Sequence, residues 1–337
     1  MMRVTTNGTL RTYRGHLARA TLNQFQAMNT VLTQRRFSSY AESPSLATQS
    51  FRLHSAYARN TAQQNMSEEM ISKYEAAGSS LQQLQNQYND ALEAAERGQN
   101  DTNAGARQQL GETLKGIAEG MVQTLNAQYN EKFVFAGADG DNAPFELKDG
   151  KLYFRGLDVN DPANEAAFAE MAEETAFVDI GLGMQLDENE QVVPSTAFNS
   201  AISGIGLVGY GQTDGVPNNM ISIISELGEI YSRADSETGD MSAADSERAE
   251  ILFDSLQESN SAFRAEWTKL DTKAQFLKTN DTRLVSTGDT LTTQYEGLDR
   301  VDLADALTTF AYAQYSYNAA LRVGNDILSQ SFIDYMS

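Results

Sequence analysis

Large apolar side chains recur every seven residues, without a break, at Leu256, Phe263, Leu270, Leu277, Leu284, Leu291 and Leu298. A straight α-helix drifts by about 20° per heptad against such a repeat. A row this long therefore stays buried only if the helix supercoils, left-handed, against others. The companion row (Asn260, Trp267, Ala274, Asp281, Gly288, Tyr295) is polar at several steps. One strong row beside one weak row indicates a seam packed against several helices rather than a simple dimer zipper. The same spacing governs an earlier stretch, with Met70, Ala77, Leu84 and Ala91 in one row and Tyr74, Leu81, Tyr88 and Ala95 in its neighbour. The prolines are Pro44, Pro144, Pro162, Pro194 and Pro217, so none interrupts 45–143 or 218–337. Both long flanks are free to be helical.

Residues 10–36 read as an amphipathic helix with Leu10, Tyr13, Leu17, Phe25, Met28 and Leu32 on roughly one side. The pattern breaks at "SSYAESPS" and resumes as a longer helix over 46–97. "RGQNDTNAG" reads as a turn with Gly98 and Gly105 as breakers. Leu110, Leu114, Ile117, Met121 and Leu125 define a third helix ending near Tyr129. In "KFVFAGADGDNAPFELKDGKLYFRG" short apolar-aromatic runs alternate with Gly, Asp and Pro, which is a hairpin signature. A short helix is expected over 164–176 and more strand and turn in "AFVDIGLGMQLDENEQVVP". Helices then follow over 218–235, 242–298 and 300–336. The expected fold is mainly α: an elongated antiparallel coiled-coil or helical bundle built from both chain ends, with an inserted β-rich (α+β) domain. Segments 1–45 and 299–337 would form a terminal assembly domain, 46–130 and 215–298 a helical rod, and 131–214 the insert. A length of 337 residues allows about two to three domains.

The chain end "ALTTFAYAQYSYNAALRVGNDILSQSFIDYMS" carries an apolar seam to its last turn. Its positions are Leu303, Leu307, Phe310, Tyr317, Leu321, Leu328 and Tyr335. With Leu10, Leu17, Met28 and Leu32 of the first helix, these are the candidate assembly interface, in which the first helix pairs with the last. Two such helices bury only part of their seams. Both ends are therefore expected to become ordered when copies pack together, folding coupled to assembly. Charge points the same way. Residues 1–60 hold eight Arg, no Lys and one acid, Glu42, a net of +7 in a chain of −21. The closing segment carries Asp299, Asp302, Asp305, Asp326 and Asp334 against Arg300 and Arg322. Opposite potentials would set register and partner choice. An Arg-rich, acid-poor start also fits a transit peptide, but the apolar pattern runs on into a long helical region. "MMRVTTNGTL" lacks the apolar centre of a secretory signal.

The net charge argues against nucleic acid as a partner. The chain has no Cys, so neither disulfides nor thiolate metal sites form. No apolar run approaches the roughly 20 residues of a membrane span, and no membrane partner is expected. Catalysis, cofactors and metals are not expected either. The two histidines, His16 and His54, sit in helical stretches far from carboxylate clusters, and no H-E-x-x-H occurs. "GIGLVG" matches the letters of a dinucleotide fingerprint, but "YGQTDGVPNN" follows where a helix should start. It reads as a flexible return from the insert. The acidic runs "DGDN", "DVNDP" and "DENE" lack the twelve-residue calcium loop with its closing Glu and read as solvated turns.

Several stretches together resemble the family of flagellar hook-associated proteins and flagellins. "MRVTTNGTL", from Met2, resembles the family's opening. "RRFSSYAESPSLATQSFRL" resembles its motif after the first helix through Arg36, Ser43, Pro44 and Ala47, although Glu42 and Ser43 replace the paired acids. "NEKFVFAGADGDNAPF", followed by "DGKLYFRG", resembles the lead into the strands of the family's junction members at Phe135, Gly137, Pro144, Phe145, Gly150, Tyr153 and Gly156. "AALRVGNDILSQSFIDYM" is similar to the family's last helix at Ala319, Ala320, Leu321, Asp334 and Tyr335. The resemblance covers both flanks and the start of the insert. It implies a structural subunit of the bacterial flagellum, exported unfolded through the flagellar type III channel without a cleaved signal. A dedicated chaperone would bind its C-terminal region. It would be an extracellular ring of like subunits joining the other hook-associated junction protein to flagellin. A flagellin-type filament subunit is the nearest alternative, and a secreted surface-binding coiled-coil protein a further one.

Overall fold

The computed structural model describes residues 6–36, 41, 43–100 and 105–336. Among the described residues the α-helices are α1 (Thr6–Thr33), α2 (Pro44–Asn100), α3 (Ala106–Leu125), α4 (Glu165–Ala172), α5 (Gly204–Val208), α6 (Met220–Ser232), α7 (Ala243–Asp299) and α8 (Leu303–Met336). Short antiparallel strands lie between α3 and α6. The mainly-α fold with a β-rich insertion is thus as the sequence indicates. The chain divides into two compact units: Met1–Thr61 with Ser286–Ser337, and Ala62–Val285.

In the second unit, both predicted rows of α2 are buried throughout, from Met70 to Ala95. They share one core with Leu114, Met121 and Leu125 of α3, with Ile221, Ile224 and Leu227 of α6, and with Leu256, Phe263 and Leu277 of α7. Phe135, Phe145, Phe154 and Phe168, from the β-rich stretch, complete that same core. Helix and strand segments therefore depend on one another for burial, because neither has an apolar face that closes on itself.

Ala136–Gly137 with Ile202–Ser203 and Phe177–Val178 with Phe198–Asn199 pair across longer stretches of chain. The four other strand pairs described are tight hairpins: Gln128–Tyr129 with Lys132–Phe133, Phe145–Lys148 with Lys151–Phe154, the latter with Leu157–Asp158, and Gln212–Thr213 with Val216–Pro217. Each turn places two residues at positive φ: Asn130–Glu131, Asp149–Gly150, Arg155–Gly156 and Asp214–Gly215. That is the two-residue geometry whose twist matches the flanking strands. Arg155 carries more than a turn. Its guanidinium grips Glu174 in two bonds, 2.6 and 2.8 Å, donates to the Ala136 carbonyl, and lies 5.4 Å from the Phe154 ring centre. Glu174 also accepts from the Ala138 N–H at 2.9 Å. The bond from Arg155 holds the Glu174 carboxyl below its ordinary range. A depressed carboxylate pKa stabilises the fold above the unfolded value, about 4.3, and that contribution is lost as pH falls through the folded value. Glu174→Gln is expected to cost about 1.5–3 kcal/mol at pH 7. In urea titrations the gap from the parent protein should narrow steadily below about pH 4.

Two expectations are corrected by packing. Gly98 does not break a helix, since α2 runs on to Asn100. Gly105, at φ 79°, does mark the start of α3. "GIGLVG" is not an open return. Its Gly204, Ile205, Leu207 and Val208 are buried in α5, where Gly204 lies against Phe145 and the Phe135 carbonyl.

Candidate assembly surface

The first unit is built on the pairing of α1 with α8, as the sequence predicts. The two run antiparallel: Tyr13 meets Gly324 at one end, and Arg35 bridges Arg300 at the other. A compact knot closes the latter end. The Arg36 N–H donates to the Asp299 carbonyl at 2.7 Å, and the Val301 N–H donates to the Gln34 carbonyl at 3.1 Å. Gln34 turns the chain at φ 56°. Arg35 Nε sits 3.1 Å from the buried Asp299 carboxylate, one contact between the basic opening and acidic closing segments. His54 packs on Tyr295 with ring centres 6.1 Å apart. Both line a cavity of about 500 Å³ with Tyr57, Arg35, Asp299 and Arg300. His16 borders an apolar groove formed with Tyr13, Ala320, Val323 and Ile327.

The covered row of α8 steps by four and three through Ala306, Phe310, Ala313, Tyr317, Ala320, Gly324 and Ile327, all buried or half-buried. In it Ala306, Ala313, Ala320 and Gly324 alternate with Phe310, Tyr317 and Ile327, and the helices approach closely where the residue is small. A Cβ at Gly324 would overlap the Tyr13 ring. On α1 the covered positions include Tyr13, Leu17, Ala27, Met28 and Val31.

Of the candidate interface residues, Phe310 and Tyr317 face this seam, and Leu10, Leu17 and Met28 are half-buried. Leu303, Leu307 and Leu321 are not in it. They form a second stripe beside it, 46%, 48% and 42% exposed. Leu32 is likewise open, 71% exposed, with Leu22 and Phe25 on the same side of α1. Leu328 and Tyr335 belong to α8, but their side chains lie outside the described residues, as do the Met2–Thr5 stretch and Glu42. The sequence reading missed Ala306, Ala313 and Gly324. A heptad row of Ala was the available signal, but alanine contributes little to an apolar pattern.

Clustered apolar side chains left open on a helix pair mark an interaction surface. Most of the large exposed apolar side chains described belong to this unit. Its exposed charged groups include arginine on α1 (Arg11, Arg14, Arg19) and aspartate at the start of α8 (Asp302, Asp305).

The acidic runs are turns whose carboxylates cap backbone N–H groups: Asp158 accepts from Asn160, Asp161 from Ala163, and Asp187 from Asn189 and Gln191. Among the described residues no group of three His, Cys, Asp or Glu is placed to hold a metal ion. No described helix is long and apolar enough to cross a membrane.

No protein-family model matches the sequence, and no curated protein matches it significantly. Solved structures do match in fold. A Vibrio parahaemolyticus protein described as a flagellar hook-associated protein superposes with a TM-score of 0.58 at 12% identity, covering 77% of this chain and 100% of that one. Flagellar hook-associated protein 3 of Legionella pneumophila gives 0.52 at 10% identity, covering 73% and 98%. Bacillus cereus FlgL gives 0.50 at 14% identity, covering 73% and 99%. An antiparallel pair of chain-end helices, heptad-packed long helices and a β-rich insertion between them are thus the elements of a chain with the fold of the flagellar hook-associated proteins.

Proposed function

We propose that this chain is a non-enzymatic structural subunit of the bacterial flagellum. It would act as a junction adaptor that assembles through residues 1–45 and 299–337 into a ring between hook and filament. The observation that carries the reading is the pair of uncovered apolar stripes, Leu303, Leu307 and Leu321 on α8 and Leu22, Phe25 and Leu32 on α1. A single chain leaves them in water, and neighbouring copies with the same helices supply cover. The shared fold and the resemblance of both chain ends support the flagellum as the setting. The partners in this reading are like subunits, the other hook-associated junction protein and flagellin, with a chaperone on the C-terminal region during type III export. Electron microscopy of cells lacking the protein tests it. The expected result is hooks without filaments and flagellin shed into the medium. Intact filaments on those cells would overturn the adaptor role, and long tubes formed by the purified protein alone would favour a filament subunit instead.

A further inference from the structure

The second unit presents an exposed hairpin held by its own hydrogen bonds. Leu186 bridges Val192, the Asp187 N–H donates to the Gln191 carbonyl at 2.8 Å, and the Val193 N–H donates to the Gln185 carbonyl at 2.9 Å. The Asp187 carboxylate accepts from the Asn189 and Gln191 N–H groups at 2.8 and 2.9 Å. These bonds fix the backbone of the loop, so the turn presents its side chains from a defined framework. Those side chains are Met184 and Leu186, 44% and 58% exposed, beside the exposed acids Asp187, Glu188 and Glu190. They lie in the middle of a stretch, 156–232, that holds thirteen acids and no Lys or Arg.

The first unit presents the complement. Phe51, Arg52, Ser55, Ala58 and Arg59 are all exposed and share one face of α2. Phe51 is 64% exposed. Among the described residues neither Arg52 nor Arg59 meets a carboxylate. In a chain so acidic overall, the basic surface is concentrated in the first sixty residues. We infer that the hairpin of one copy docks through Met184 and Leu186 onto the Phe51–Arg52–Arg59 face of a second copy, with Glu188 and Glu190 set against the two arginines. Apolar contact supplies the buried centre and the charge pairs the register. The two faces differ, so every copy carries both halves of the contact, and head-to-tail repetition of it builds a ring or helix. This deepens the proposed self-assembly and rests on it for the ring.

The absence of cysteine makes the test clean. Full-length Leu186→Cys and Ser55→Cys chains are mixed in equal amounts and oxidised gently. The expected product is the mixed disulfide dimer, in clear excess over either like pair. Arg52→Glu with Arg59→Glu should slow its formation about tenfold, and Glu188→Arg with Glu190→Arg on the other chain should restore it. No excess of the mixed dimer, or indifference to charge reversal, overturns the contact. Sedimentation of the unoxidised parent protein separates the two ideas. Oligomers without the 55–186 linkage leave ring assembly standing and remove this contact. Mixed dimers from a protein that stays monomeric before oxidation support the contact and remove the ring.

Discussion

Removal of residues 308–337 is expected to abolish assembly altogether while leaving the second unit folded. The deletion strips away nearly all of the covered row of α8, and with it the cover of Tyr13, Leu17, Ala27 and Met28 on α1. A lone helix is marginal in water, because most helical stability comes from the packing of its apolar face. The core of the second unit uses no residue from either end, so its cooperative unfolding transition should survive. Sedimentation should then show monomers at every concentration, and circular dichroism should lose the contribution of α1 as well as that of α8. A milder change separates the seam from the open stripe. Leu307→Asp with Leu321→Asp alters two exposed side chains and should shift monomer stability by no more than about 0.5 kcal/mol per site. It should nonetheless prevent oligomers. Ala306→Asp, at a buried position of the seam, should loosen α1 from α8 within the single chain. In the dilute parent protein, amides of 6–33 and 303–336 should exchange with deuterium faster than those of 62–100. Oligomers formed undiminished by the Leu307/Leu321 pair would remove the open stripe from the interface.

Gly98→Val is expected to destabilise the second unit strongly. A side chain there would stand 2.6 Å from Cδ2 of Tyr231 and closer still to Cε2. Tyr231 cannot yield: it is fully buried, and its hydroxyl donates to the Ala95 carbonyl at 2.8 Å. Burial in turn pushes the phenol up to about 12, so it remains a donor throughout the neutral range. The Gly98 carbonyl is also bound, accepting from Arg107 Nε at 2.7 Å. Overpacking of this kind costs about 3 kcal/mol, a fall of roughly 6–12 °C in Tm for a unit of this size. Combining it with Tyr231→Ala should cost less than the sum of the two single changes, since the clash is removed with the ring. A fall of less than about 2 °C for Gly98→Val would mean that α6 can shift away from α2.

Gly98 also shows where reading residues in order stops working. In "RGQNDTNAG" two glycines flank polar residues, and local chemistry assigns both to a turn. Gly105 obeys, because its positive φ is a local property. Gly98 is helical, and its missing side chain serves a ring from residue 231. The hairpins were legible for the same reason as Gly105: Asp149–Gly150 and Arg155–Gly156 encode their own dihedral angles. The chain-end helices were legible as helices and as a pair, and their contact face in part, through Leu17, Met28, Phe310 and Tyr317. The leucines drew the apparent seam of α8 to one side, whereas the seam that meets α1 also takes in Ala306, Ala313 and Gly324.

What the residues determined unaided is what depends on near neighbours in the chain: helix periodicity, hairpin turns, the absence of cysteine, and the charge separation between the first sixty residues and the rest. Only the tertiary structure decided which apolar stripe of α8 meets α1 and which stays open, and that helix and strand segments share one core. The physical reason is that an amphipathic pattern states that a face avoids water without stating what covers it. Close helix contact is selected by small side chains, whose hydrophobic signal is faint, and their place becomes evident only when the opposing ring or backbone is in position.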